Sequence, residues 1–224
     1  MENALVRLAL FYPLFLFSLS FHEAAHALIA DKFGDNTAKL MGRVSLSPFP
    51  HMDIVGTVIL PIMGILTGAP VIGWGKPVPV NPYQLKGEMR KSNLWVAASG
   101  PASNILLAFI FGVLAHALIW ALPSIPPSML VPGSASETTI GALYTILQMG
   151  VVLNLVLAFF NLLPLPPLDG GAVVRGVLPE SSLQAFDQFS RYGFLILLVL
   201  FVTGILKYIF IPVMLFAHML LPAV

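Results

Sequence analysis

Near the end of the first apolar stretch of the chain stands His22-Glu23-Ala24-Ala25-His26. Residues i and i+4 share one face of an α-helix, so both imidazoles can reach a single zinc ion. Glu23 is then placed to take a proton from a metal-activated water and pass it to a leaving amine. On an exposed helix of a soluble protein such a motif can arise by chance. Here it lies in a segment apolar enough to cross a membrane, where every ionisable side chain is costly and a functional candidate. The plainer alternative is a buried polar cluster that only pairs helices, and three ionisable residues within five positions fit that poorly.

A catalytic zinc needs a third protein ligand and an open position. The chain contains no Cys, so disulfides, iron–sulfur clusters and thiolate sites are excluded, and any metal must be held by His and carboxylate. Asp169 stands out in Asn161-Leu-Leu-Pro-Leu-Pro-Pro-Leu-Asp169-Gly170-Gly171. The prolines at 164, 166 and 167 cannot continue a helix, and the glycines permit tight turns and close backbone approach. Taken alone, Asp169 reads better as a helix-capping residue after a loop.

The elements that must position these residues are membrane helices. Of 224 residues, 58% are hydrophobic and 9% charged, against about 25% charged in soluble domains. Four stretches reach the roughly 20 apolar residues needed to cross a bilayer: about Ala4–Ala30, Leu94–Leu122, Ile140–Leu163 and Tyr192–Leu221. A fifth, Ile54–Gly68, is shorter and interrupted by Gly56, Pro61 and Gly64. A signal-peptide reading of the first stretch has Arg7 and an Ala25-His26-Ala27 cleavage pattern in its favour, but the stretch is too long and carries charge in its core.

Loops 31–53, 69–93 and 164–191 hold nine of the eleven Lys and Arg residues, and loop 123–136 holds none. The basic loops are therefore expected on the cytoplasmic side. Ile54–Gly68 must then enter and return on that side, as a re-entrant segment lining an aqueous pocket. The same topology brings Asp169 to the end of the bundle where His26 lies.

HEAAH in a membrane helix, followed far downstream by N-x-x-P-x-P-x-x-D-G-G, resembles the site-2 protease family of intramembrane zinc metalloproteases. The resemblance extends to Gly42-Arg43-Val44-Ser45-Leu46-Ser47-Pro48, similar to the family's membrane-associated β element. It also covers Gly100-Pro101-Ala102-Ser103-Asn104, which opens a core helix. It implies one zinc per chain held by His22, His26 and Asp169, with Glu23 as general base. Asn161 is similar to the family's asparagine near the metal, which steadies the substrate carbonyl or oxyanion.

The expected fold is an all-α integral membrane protein: a bundle of about 4–6 transmembrane helices with a small β element and a re-entrant segment, residues 1–224 forming one polytopic domain. The expected location is the cell membrane, with the site toward the cytoplasm and a transmembrane protein as substrate. Unlike larger relatives, the chain begins with the zinc-binding helix and shows neither a PDZ-like nor a regulatory domain. Gly73–Pro82 offers either a β-edge for an unwound substrate or a plain loop. His51 and Asp53 suit a resting-state metal or gate, or, more simply, an interfacial histidine and a capping aspartate. His116 and His218 read as packing or interfacial residues. The sequence shows no basic patch with interleaved aromatics for nucleic acid and leaves the oligomeric state open. Two other functions compete. One is a metal transporter or channel, for which no inverted repeat is visible. The other is a catalytically silent homologue acting as a scaffold.

Overall fold

The computed structural model describes residues 4–68, 71 and 73–223, and every regular element among them is helical. They are α1 (Ala4–Lys32), α2 (Thr37–Leu40), α3 (Leu60–Thr67), α4 (Met89–Ala121) and α5 (Ala135–Asn161), then α6 (Asp169–Val177), α7 (Glu180–Ser190), α8 (Gly193–Val202), α9 (Leu206–Ile209) and α10 (Ile211–Leu220). Short 3-10 turns link several of them, and a π-helical turn, Ile54–Ile59, leads directly into α3.

Among the described residues, three helices are long and apolar enough to cross a membrane: α1, α4 with its 3-10 extension to Ser124, and α5. Counting α7 and α8 as one span bent by 55° makes four, the lower end of the expected range. The expected fourth span, Tyr192–Leu221, is broken into α8, α9 and α10. Gly204 takes φ +72° between α8 and α9, a left-handed conformation that ends a helix, and Pro212 starts a new one. Hydropathy registers the apolar run but not these breaks.

The three long helices alternate in direction. His26 meets Val96 while His22, one turn earlier, meets Asn104, so α4 runs antiparallel to α1. On α5, Asn154 bonds Ser18 and Asn161 reaches the cavity beside the histidines, so α5 runs parallel to α1. Loops 31–53, 73–93 and 164–191 thus gather at the end of the bundle that holds the site. Water does not drive helices together inside lipid, so association depends on close packing and polar bonds. Ala108, Val151, Leu155, Val213 and Ala217 form a buried contact among α4, α5 and α10. A Cβ on Gly150 would strike the Phe111 ring, so this glycine sets how near α5 comes to α4. On the outside, Leu106, Val113 and Leu114 of α4 and Phe194, Leu195 and Val202 of α8 are exposed, as lipid-facing side chains are.

Ile54–Thr67 is 14 residues long, about 21 Å at 1.5 Å per residue, short of the roughly 30 Å hydrocarbon core. Asp53 caps its start, accepting from Val55 N at 3.0 Å and Gly56 N at 2.7 Å. The chain then comes back to that same end. Trp74 N donates to Gly56 O at 3.1 Å, and Thr57 Oγ1 donates to Trp74 O at 2.8 Å. The returning stretch 73–81 is held on several sides. Lys76 N donates to His51 O, the buried Arg43 guanidinium reaches Lys76 O and Pro77 O, and Asn81 N donates to Asp35 Oδ2 at 2.6 Å. Burial alone would raise the Asp35 carboxyl, but bonds from Thr37 and the Asn81 amide hold it below its ordinary range.

The expected β element is not formed: Gly42–Pro48 is a run of turns and bends, and no strand occurs among the described residues. Its polar groups are met by side chains and by single backbone bonds, such as His51 Nε2 to Ser45 O at 2.8 Å, so no ladder develops. Stretch 73–81 likewise has no regular structure and no partner strand among the described residues, and Pro82 begins a 3-10 turn.

The arrangement predicts how cysteine probes behave in a chain with no native Cys. Lys39→Cys, Lys86→Cys and Glu180→Cys should label with an impermeant maleimide from one side, and Ser128→Cys from the other. If Lys86→Cys labels with Ser128→Cys, Ile54–Thr67 crosses the membrane and the returning stretch is misplaced.

Candidate metal centre

His22 and His26 lie in the last turns of α1, both buried, at 5% and 8% exposure. Helical spacing stacks their rings edge to face with centroids 4.7 Å apart. The room for this comes from α4, where a Cβ on Gly100 would fall on the rings of both histidines. Asp169 arrives from the far end of the chain. After α5 ends, the proline-rich turn doubles back, and a Cβ on Gly170 would collide with the carbonyls of Leu162 and Leu163. Leu168, not Asp169, occupies the N-cap of α6, and no side chain caps that helix. The capping alternative for Asp169 therefore has no geometry behind it.

The Asp169 carboxylate points into α1 instead. Its Oδ2 lies 3.1 Å from His22 Nε2 and 3.3 Å from His26 Nε2, and the two Nε2 atoms are 3.1 Å apart. Three donors at about 2.0–2.1 Å from a tetrahedral zinc are spaced about 3.3 Å apart, so this triangle fits one face of such a site. The other ring nitrogens are occupied. His22 Nδ1 is 2.6 Å from Asn104 Oδ1 and His26 Nδ1 is 2.7 Å from Val96 O. Oxygen acceptors there require Nδ1–H on both rings, which turns both Nε2 lone pairs toward Asp169. Asp169 Oδ2 is buried without a hydrogen-bond partner. Two lone pairs and an anionic oxygen converging in a buried space repel one another, and a cation at their centre relieves that. Among the described residues this is the one group of metal-donor side chains found.

The site opens on a cavity of about 440 Å³. Glu23 and Asn161 line it together with the three donors, while Trp74, Gly75 and Val78 of the returning stretch form another part of its wall. Glu23 stands outside the donor group, and its Oε2 accepts from Val78 N at 3.2 Å. Asn161 Nδ2 donates one hydrogen to Leu157 O at 2.9 Å, which leaves its second amide hydrogen. All five residues singled out in the sequence thus meet in one place. His51 does not join them: it is buried at 1% exposure rather than interfacial, and it bonds Ser45 O. Asp53 is the capping residue of the simpler reading, and His116 and His218 are exposed away from the cavity. Asn104, which the sequence marks only as part of the Gly100–Asn104 segment, is fully buried against His22. Its signal was present: an amide in an apolar span must find a polar partner.

Fold and site together define a membrane metalloprotease with zinc as its cofactor. The chain belongs to peptidase family M50, whose profile matches residues 10–203. Over 214 residues it is 37% identical to YwhC of Bacillus subtilis (strain 168), provisionally named a zinc metalloprotease, covering 92% of this chain and 90% of that protein. It is 28% identical to Rip2 of Mycolicibacterium smegmatis, also provisionally named a zinc metalloprotease, over 86% of this chain and 66% of Rip2. To the zinc metalloprotease MJ0392 of Methanocaldococcus jannaschii it is 25% identical over 92% of this chain, which spans 46% of that protein. No solved structure gives a significant match. Membership of a peptidase family sets aside the transporter reading.

Substitutions at Asp169 test the donor triangle. Asp169→Ala and Asp169→Asn should lose zinc by more than the roughly 10–100-fold typical of outer-shell changes, and Asp169→His should retain the most. Zinc content of the purified variants checks this. An Asn variant with full zinc would remove Asp169 from the ligand set.

Proposed function

We propose that this protein is an intramembrane endopeptidase that hydrolyses peptide bonds in or beside transmembrane segments of membrane proteins. One observation carries the reading: the donor triangle, Glu23 and Asn161 share a cavity formed at one end of membrane-crossing helices. His22, His26 and Asp169 would hold the zinc, which when bound supplies Lewis acidity and lowers the pKa of water. Glu23 then takes a proton from the attacking water and delivers it to the leaving nitrogen. Its bond to Val78 N steers one carboxylate oxygen and leaves the other for this transfer. The second amide hydrogen of Asn161 is available to the substrate carbonyl as charge develops there.

A helical peptide bond is shielded and already hydrogen-bonded, so the substrate must unwind before it is cut. The non-helical stretch 73–81 supports this step. Trp74, Lys76 and Val78 use their amides on the protein, whereas the N–H and C=O of Gly75 have no bond among the described residues. An unwound substrate would pair there by strand addition. The concentration of Lys and Arg in the loops at the site's end supports a cytoplasmic orientation in the cell membrane.

Cleavage of a model transmembrane substrate by the purified protein in lipid tests the proposal. Glu23→Gln should lower turnover by about 10²–10⁴-fold while zinc stays bound. Mass spectrometry should place the cut within or next to the apolar segment. Wild-type turnover by Glu23→Gln, or cuts confined to distant soluble regions, would contradict it.

A further inference from the structure

His26 and His22 are fixed by different means. The Nδ1 of His26 meets a backbone carbonyl, Val96 O, which can only accept, so its proton position is settled directly. His22 meets the side-chain amide of Asn104, and an amide can present either its oxygen or its nitrogen. Presented the wrong way, the Asn104 NH₂ would donate to His22 Nδ1 and move the ring proton to Nε2, where it would block a metal.

What holds Asn104 the right way lies deeper in the bundle. Asn154 on α5 donates from Nδ2 to Gly150 O at 2.9 Å and to Ser18 Oγ at 3.0 Å. Gly150 O is a backbone carbonyl, so the Asn154 nitrogen must face it and the Asn154 oxygen must face Asn104. Asn104 answers with Nδ2, 2.8 Å from Asn154 Oδ1 and 3.2 Å from Ser18 O, a second backbone carbonyl. Its oxygen is then left for His22 Nδ1. Ser18, Asn104 and Asn154 are each fully buried, so no water competes for these bonds. Acceptor-only groups at Gly150 and Ser18 thus set the direction of every bond in the chain.

We infer that Asn104 and Asn154 are positioning residues: a polar relay across α1, α4 and α5 that fixes the tautomer of His22 so that Nε2 stays open to zinc. Neither touches the metal triangle's open side, and neither appears in the HEAAH or Asp169 motifs. The inference rests on His22 being a zinc ligand.

Zinc affinity, read by competition with a chromophoric chelator, tests it on purified full-length protein. Asn104→Leu keeps the volume but not the acceptor and should weaken zinc by about 10–100-fold. Asn104→Asp, protonated on the oxygen that faces Asn154 Oδ1 and Ser18 O, keeps an acceptor for His22 Nδ1–H and should stay within a few-fold of wild type. Asn154→Leu, distant from both histidines, should weaken zinc less than Asn104→Leu, because Ser18 O still accepts from Asn104. A mere packing role predicts the reverse order, with Leu tolerated and a buried Asp disruptive. Should Asn104→Leu fail to fold, ¹⁵N-histidine NMR of the zinc-loaded wild type decides, with the His22 proton expected on Nδ1 and the metal on Nε2. Wild-type affinity in Asn104→Leu or Asn154→Leu, or metal on Nδ1 of His22, would overturn the relay. Retention of zinc by His22→Ala would overturn the ligand assignment itself, a separable failure.

Discussion

Two imidazole lone pairs and a carboxylate oxygen are held within 3.1–3.3 Å of one another, at the buried end of a helix bundle. Without a cation this arrangement is repulsive, and in a poorly solvated place the repulsion is barely screened. The surrounding structure must therefore be stiff enough to keep the donors together. That stiffness has visible sources. Ring nitrogens are tied to Asn104 and Val96, and the proline turn is packed so tightly that Gly170 admits no side chain. Metal binding converts the repulsion into coordination, which is how such a cluster becomes tolerable in a buried place.

The same constraint explains the choice of small residues. Gly100 lets α4 approach the histidines, and Gly150 lets α5 lie against Phe111 and bring Asn154 to Asn104. In lipid, where apolar burial gives helices little reason to associate, these contacts and the buried amides hold the bundle. The cavity wall is fixed by Arg43, His51 and Asp35 through the backbone of 73–81.

Much of the site was written locally. His22 and His26 share a helical face by spacing alone, with Glu23 beside them, and Asp169 was marked by prolines that cannot continue a helix and glycines that allow close backbone approach. Their meeting followed from counting spans and basic loops. The break in Tyr192–Leu221 escaped notice because Gly204 and Pro212 sit inside an unbroken apolar run, where hydropathy is blind to backbone conformation. The β element was expected from likeness of Gly42–Pro48, yet strand formation depends on a partner, which no local pattern supplies. Asn104 carried a readable cost, a buried amide in a span, but its partner lies on another helix 82 positions earlier, at His22.

X-ray absorption at the zinc edge on the purified wild-type protein tests the central claim most directly. The account predicts one zinc per chain in a four-coordinate shell of nitrogen and oxygen at about 2.0–2.1 Å, with the outer scattering of two imidazoles. A shell with three or more imidazoles, or a six-coordinate all-oxygen shell, would contradict it.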